Sequence, residues 1–258
     1  MKNIKSVLIS ASMCVSALCF QTSAQANTIV EWAKSATAAS MFDASYAASF
    51  ATGSPDAKGC HGLNGQWATK GKNDVAAITL TYSKPTVPTL INVFQNNIIN
   101  AVSKIEVSAD GTTWSTVYVG DTTKAVAGSC MKTKGYDDVL IAPVSPNFRT
   151  SVTKVRVTVD QTTQGRAEID AVQLIGKTAQ TIPTIEGSYS HSPWYLRLPK
   201  KTSASLNITW TTSTPNVCSI KSGVLRGLIP GSCRITGTNA GNGSFTPVSY
   251  AKTIDFIY

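Results

Sequence analysis

The sequence predicts an all-β protein built as two antiparallel sandwiches in series, and three observations carry that reading. Short segments rich in Val, Ile, Thr and aromatic residues recur from residue 75 onward, bounded by turn residues such as Lys84-Pro85, Asp110-Gly111 and Gly165. Many of them alternate apolar and polar side chains, as in "KIEVS" and "KVRVTV", which gives a strand one buried face and one wet face. No amphipathic helix separates them. The Ala-rich "WAKSATAASMF" (32–42) is the one stretch whose composition fits a helix. Regular strands without intervening helices imply a sandwich or a barrel.

Taken in order, the chain opens on a segment read as a leader. "MKNIK" is basic, "SVLISASMCVSALCF" is apolar, and "SAQA" supplies Ala24 and Ala26 of a small-residue cleavage motif. That layout is a secretory signal peptide, here 1–26. No later apolar run is long enough to span a bilayer. The expected product is secreted, or held at the cell surface or in the periplasm.

A first domain is expected over 27–177. Its strands are "AAITLTY" (76–82), "TLINVF" (89–94), "VSKIEVSAD" (102–110), "WSTVYVG" (114–120), "TKVRVTVD" (153–160) and "IDAVQLIG" (169–176). "GKTAQTIPTIEGS" (176–188), rich in Gly, Thr, Pro and Ser, reads as a linker. Within the second domain, 178–258, "ASLNITWTTS", "CSIKSGVLRGL" and "GSCRITGTNAG" are again strands with tight turns, enough for a small seven-strand sandwich.

Cysteine and charge narrow the setting. Beyond the leader, four cysteines remain: Cys60, Cys130, Cys218 and Cys233. An even number after an export signal points to two disulfides, and sequence proximity favours Cys60–Cys130 with Cys218–Cys233. The absence of C-x-x-C, with only His61 and His191, argues against zinc. Residues 27–177 hold 14 basic and 12 acidic side chains, whereas 178–258 hold 7 and 2. The basic excess of the second domain suits an anionic surface, or simply solubility. Nucleic acid is not the expected partner of an exported chain.

No catalytic motif is present: there is no G-x-S-x-G, H-E-x-x-H or P-loop, and the two histidines lie in different domains. Glu168 and Asp170 form the one pair of closely set acids within a strand. Two residues apart, they are expected on one face about 6–7 Å apart. Glycoside hydrolysis needs its carboxylates across a cleft, not side by side on one strand. A non-enzymatic protein is therefore expected.

The segments "AASFATGSPD" (47–56), "GQWA" (65–68), "ITLTYSKPTVPTLINVF" (78–94), "AVSKIEVSADGTTWSTVYVG" (101–120) and "EIDAVQLIG" (168–176) together resemble the discoidin-like, galactose-binding domains. The resemblance implies an eight-strand jelly roll over 27–177, with ligand loops at one end and, in many members, a structural calcium. It implies that a carboxylate before the last strand reaches back to a loop near the domain start. Here that would be Glu168, with Asp56 of "FATGSPD" as second ligand, while Asp170 accepts backbone N–H groups or stays at the edge. Residues 182–258, through "TWTTSTPNVCSI" and "GVLRGLIPGSCRITGTNAGNGSF", resemble the bacterial immunoglobulin-like domains that usually act as spacers.

Two polar loops are the sequence's candidates for ligand contact. "CHGLNGQWATKGKND" (60–74) gathers His61, Asn64, Gln66 and Trp67, and "FQNNIINA" (94–101) gathers Gln95, Asn96 and Asn97. Amides beside an aromatic suit a sugar, whose C–H face rests on the ring while its hydroxyls meet polar groups. Trp67 suits the core as well as a ligand platform, and Trp114, Trp194 and Trp210 are expected in the cores. The expected function is non-catalytic carbohydrate binding or adhesion, to a glycan, an extracellular matrix or a surface polysaccharide. The rival is a structural module for protein contacts. The sequence sets no oligomeric state.

Overall fold

The structure, a computed structural model, describes residues 28–57, 65–71, 74–127, 138–162, 165–189 and 194–257. The expected leader and its cleavage site, His61, Asn64 and the Cys60–Cys130 pair lie outside these. No helix among the described residues is long and apolar enough to cross a membrane.

The first unit runs through β1 (Ile29–Trp32), β2 (Ser35–Ala38), β3 (Trp67–Ala68), β4 (Val75–Asn96), β5 (Ile98–Ile99), β6 (Val102–Ser108), β7 (Ser115–Val119), β8 (Val126–Ala127), β9 (Asp138–Pro143), β10 (Val152–Asp160) and β11 (Glu168–Lys177). Two antiparallel layers result. One orders as β2-β4-β10-β6-β7 and the other as β1-β11-β4-β9, with β3 on the start of β11. Strand β4 belongs to both. Its first part, to Thr81, pairs with β2 and β10, and residues 87–96 pair with β11. Ser83, Lys84 and Pro85, expected to be a turn, form an exposed corner where the chain changes sheets without reversing. Proline has no N–H to offer a ladder, so it suits that corner.

Alternating apolar residues of the two layers face each other across the core. Ile78, Leu80, Ile91, Val93, Ile105, Val107, Val155, Val157, Val172 and Leu174 are all buried there, together with Trp67. Trp67 is fully buried and its indole Nε1 donates to the Ser40 carbonyl at 2.8 Å, which settles its role as a core residue. The Ala-rich stretch after Trp32 is strand β2 and a loop, not a helix. Its alternation places Ala36 and Ala38 against the core while Ser35 and Thr37 face water.

The second unit contains β12 (Ser188–Tyr189), β13 (Tyr195–Arg197), β14 (Thr209–Thr212), β15 (Cys218–Lys221), β16 (Val224–Gly227), β17 (Gly231–Asn239) and β18 (Val248–Phe256). They form a four-stranded sheet, β12-β18-β17-β14, and a three-stranded sheet, β13-β16-β15. Trp194, Leu198, Leu225, Ile235, Ile254 and Phe256 fill a separate core between them. The expected Cys218–Cys233 disulfide is present, joining β15 to β17 and so one sheet to the other, with Cα atoms 5.8 Å apart.

The segment expected to be a linker is tied down instead. Strand β11 continues to Lys177, whose Nζ donates to the Asn242 carbonyl. Thr178 exchanges backbone hydrogen bonds with Ser244 and Thr246, and the buried Gln180 amide donates to Asn239 Oδ1 and the Thr246 carbonyl. Composition signals only where a chain need not fold. It does not exclude polar side chains that satisfy a neighbouring backbone.

Candidate functional site

The two acids of β11 turn on a one-residue bulge. Ile169 pairs with Gln95 and Ala171 with Phe94, leaving Asp170 as the extra residue. A bulge reverses the phase of side-chain alternation. Ile169, Val172 and Leu174 therefore all point to the core, and Glu168 projects to the other side. The unbroken alternation that would place both acids on one face is interrupted by this insertion, which leaves no trace in composition.

Both carboxylates are buried and both meet N–H groups. Glu168 Oε2 accepts from Gln66 Nε2 at 2.7 Å, and Oε1 lies 3.4 Å from Asn97 Nδ2. Asn97 Nδ2 also donates to the Arg166 carbonyl at 2.9 Å. Glu168 thus draws the two sequence-selected loops together through one residue of each. Asp170 is the carboxylate that reaches back to the early loop, its Oδ2 accepting the backbone N–H of Asp56 at 3.0 Å and of Ala57 at 3.2 Å.

Around this network stand residues that the sequence reading missed. Asp43 caps a single 3-10 turn, Ala44–Tyr46, by accepting from the Ser45 N–H. The turn places the Tyr46 ring edge-on to Phe42, with centroids 5.5 Å apart. Burial raises the Tyr46 phenol above its ordinary pKa, the Glu168 and Asp43 carboxylates add to this, and Arg166 opposes it. The Arg166 guanidinium lies over the Phe42 ring, 3.6 Å from its centroid, and its Nε has no hydrogen-bond partner among the described residues. Phe42 itself is 42 % exposed. An exposed aromatic beside a capping aspartate, "MFDAS", is the one signal in the sequence that points here.

Several expected contacts fall elsewhere. Gln95 and Asn96 are the last residues of β4, not a loop, and are buried. Asn97 follows in the left-handed region, φ 64°, a conformation asparagine tolerates better than most residues. Asn96→Ala or Asn97→Ala would therefore disturb the fold as well as any ligand contact. Trp114 is half-buried beneath the Arg156 guanidinium, 4.2 Å from the ring centroid.

At the residues that the resemblance names for calcium, Glu168 accepts from Gln66 and lies 3.4 Å from Asn97 Nδ2, while the exposed Asp56 gives its main-chain N–H to Asp170. No group of three or more His, Cys, Asp or Glu side chains converges among the described residues.

Part of the chain is similar to several solved structures. Chitosan-binding module 1 from a chitosanase/glucanase of Paenibacillus sp. IK-5 is 20 % identical, with TM-score 0.40 over 55 % of this chain and 94 % of that one. The family 32 carbohydrate-binding module of C. perfringens NanJ, solved with galactose, is 16 % identical, with TM-score 0.39 over 57 % and 99 %. Reduced XRCC1 bound to the DNA polymerase β catalytic domain gives 9 % identity and TM-score 0.41 over 58 % and 100 %. No curated protein matches the sequence. Residues 21–184, more than half of the sequence, match the family model described as Pappalysin-1, SD scarf domain, C-terminal, and the chain belongs to that family.

Proposed function

We propose that the protein is an exported, non-catalytic carbohydrate-binding protein, with a discoidin-like first domain that holds the sugar and an immunoglobulin-like second domain that acts as a spacer. The observation that carries this reading is the guanidinium of Arg166 held against the exposed ring of Phe42, with Asp43 and the Glu168–Gln66–Asn97 network around it. A sugar needs an apolar surface for its C–H groups and planar, charged partners for its hydroxyls. Phe42 offers the first, and Arg166 and Asp43 offer the second. The Cys218–Cys233 disulfide supports an oxidising compartment, where surface glycans are met.

A second reading, a protein-contact module, is favoured by Met41 standing exposed beside Phe42. A glycan array separates the two. Specific signals, lost at least tenfold in Phe42→Ala and Arg166→Ala with the melting temperature retained, support sugar binding. A blank array, or signals that both variants preserve, overturns it in favour of protein contact.

A further inference from the structure

We propose that the solvent-facing side of the three-stranded sheet β13-β16-β15 is a second binding face, for a linear anionic polysaccharide. It lies on the second unit and is independent of the Phe42–Arg166 site. The register builds it. Tyr195 pairs with Arg226 and Arg226 with Ser219, while Arg197 pairs with Val224 and Val224 with Lys221. Directly paired residues share a face, as do residues two apart along a strand. All six side chains therefore project on one side, opposite Leu196 and Leu225, which pack into the core.

Arg197, Lys221 and Arg226 are exposed, and Tyr195 is 53 % exposed with the Arg226 guanidinium 5.6 Å from its ring centroid. Five of these residues line a groove of about 350 Å³ with Ser222. Lys200 extends the positive surface at one end. Its Cε lies within 3.7 Å of the space above Gly223, in the turn between β15 and β16.

Among the described residues no salt bridge joins these cations to a carboxylate. From residue 178 onward the sequence contains only two acidic side chains, Glu186 and Asp255. Asp255 is on the other sheet, where it accepts from Ser232 Oγ at 2.6 Å, and Glu186 precedes β12 of that same sheet. Three cations, one on each strand, with Lys200 in the segment after β13 and no salt bridge to any of the four among the described residues, match anionic groups that recur along a polymer better than a single small anion.

The chemistry favours a polysaccharide over the other polyanions. The face offers one aromatic ring, in Tyr195, and two serine hydroxyls, suited to stacking and hydrogen bonding with sugar rings. It lacks the large apolar surface by which a peripheral protein enters a bilayer. The disulfide that joins the two sheets belongs to an oxidising compartment, away from nucleic acid.

The experiment measures binding of the full chain to heparin, at rising salt, beside neutral dextran, phosphatidylglycerol vesicles and single-stranded DNA. Heparin is expected to bind, dextran not, and the affinity to fall steeply as salt shortens the Debye length from about 10 Å at 0.1 M. Arg226→Glu should weaken heparin binding about 5–10-fold, and Arg197→Glu with Lys221→Glu and Arg226→Glu should abolish it. Arg234→Glu, the same charge change on the four-stranded sheet, should have little effect. Neutral Arg226→Gln should give an intermediate loss, with melting curves confirming that each variant is folded. Equal losses in Arg234→Glu and Arg226→Glu would overturn the proposal, because net charge alone would then account for binding. Preference for vesicles or DNA over heparin would overturn it too, as would retention of heparin by the triple variant.

Discussion

Asp170→Asn preserves the shape of a buried side chain and removes its charge. In the folded protein Asp170 is fully buried, and its Oδ2 holds the backbone N–H groups of Asp56 and Ala57. A hydrogen bond to a charged acceptor contributes about 1.5–3 kcal/mol, against about 0.5–1.5 for a neutral one. With both bonds weakened to neutral ones, the loss is about 2–3 kcal/mol. Asp170→Ala removes the acceptor altogether and strands the N–H of Ala57, a residue 8 % exposed. That variant should lose about 3–5 kcal/mol.

For a chain of this size each kcal/mol moves the melting temperature by about 2–4 °C, so Asp170→Asn should melt about 4–12 °C lower. Thermal and urea unfolding followed by tryptophan fluorescence provide the assay, with the urea slope unchanged if only stability is affected. Chelator and millimolar calcium should leave the parent curve in place. A melting shift below about 1 °C in Asp170→Asn would refute the assigned role of the two N–H bonds. A loss reproduced by chelator alone would show that a cation, not two backbone amides, ties the early loop to β11.

Two further outcomes follow from the packing. Replacing both Cys218 and Cys233 by serine opens a loop of sequence separation 15 and should destabilise the second unit by about 3 kcal/mol. The midpoint of the second unit's unfolding should fall in that variant, and an unchanged midpoint would contradict the staple. Glu106 is buried on β6 between Arg156, 2.9 Å away, and Lys104, 3.2 Å away. Burial pushes its carboxyl pKa up, but the hydrogen bonds and charges of both cations outweigh this and hold it below the ordinary value. Its contribution is therefore present above the unfolded glutamate pKa, about 4.3, and disappears as pH falls through the lower folded value. Melting temperature against pH should be flatter below about pH 4.5 in Glu106→Gln than in the parent, and coincident slopes would refute the pairing.

Strands were legible wherever alternation and β-branched residues coincided. "TKVRVTVD" corresponds to β10 at Val152–Asp160 and "IDAVQLIG" to β11 at Glu168–Lys177 within a residue or two. The corner of β4 was not, because Lys84-Pro85 signals a backbone that leaves a ladder and not where it goes next. At the candidate site, the sequence drew attention to Gln66, Asn97 and the acids of β11, and the structure joins Gln66 and Asn97 at Glu168 while Asp170 holds the early loop. It misplaced Gln95 and Asn96, since their amides read as loop chemistry although the sheet extends through them and buries both. Phe42 and Arg166 escaped notice because they lie 124 positions apart and meet only once β11 is laid beside β3.

Strand β4 has a consequence for how the first unit comes apart. Because one continuous backbone, Val75–Asn96, occupies an interior place in each layer, neither layer can shed it without losing neighbours on both of its sides. The sandwich has no seam along which one sheet could melt while the other survives, so loss of structure is all-or-none across both layers. The corner at Ser83, Lys84 and Pro85 is the exception, an exposed joint between the two ladders. A single backbone cut there would turn one shared strand into two separate ones and remove the covalent coupling that makes the two layers fail together.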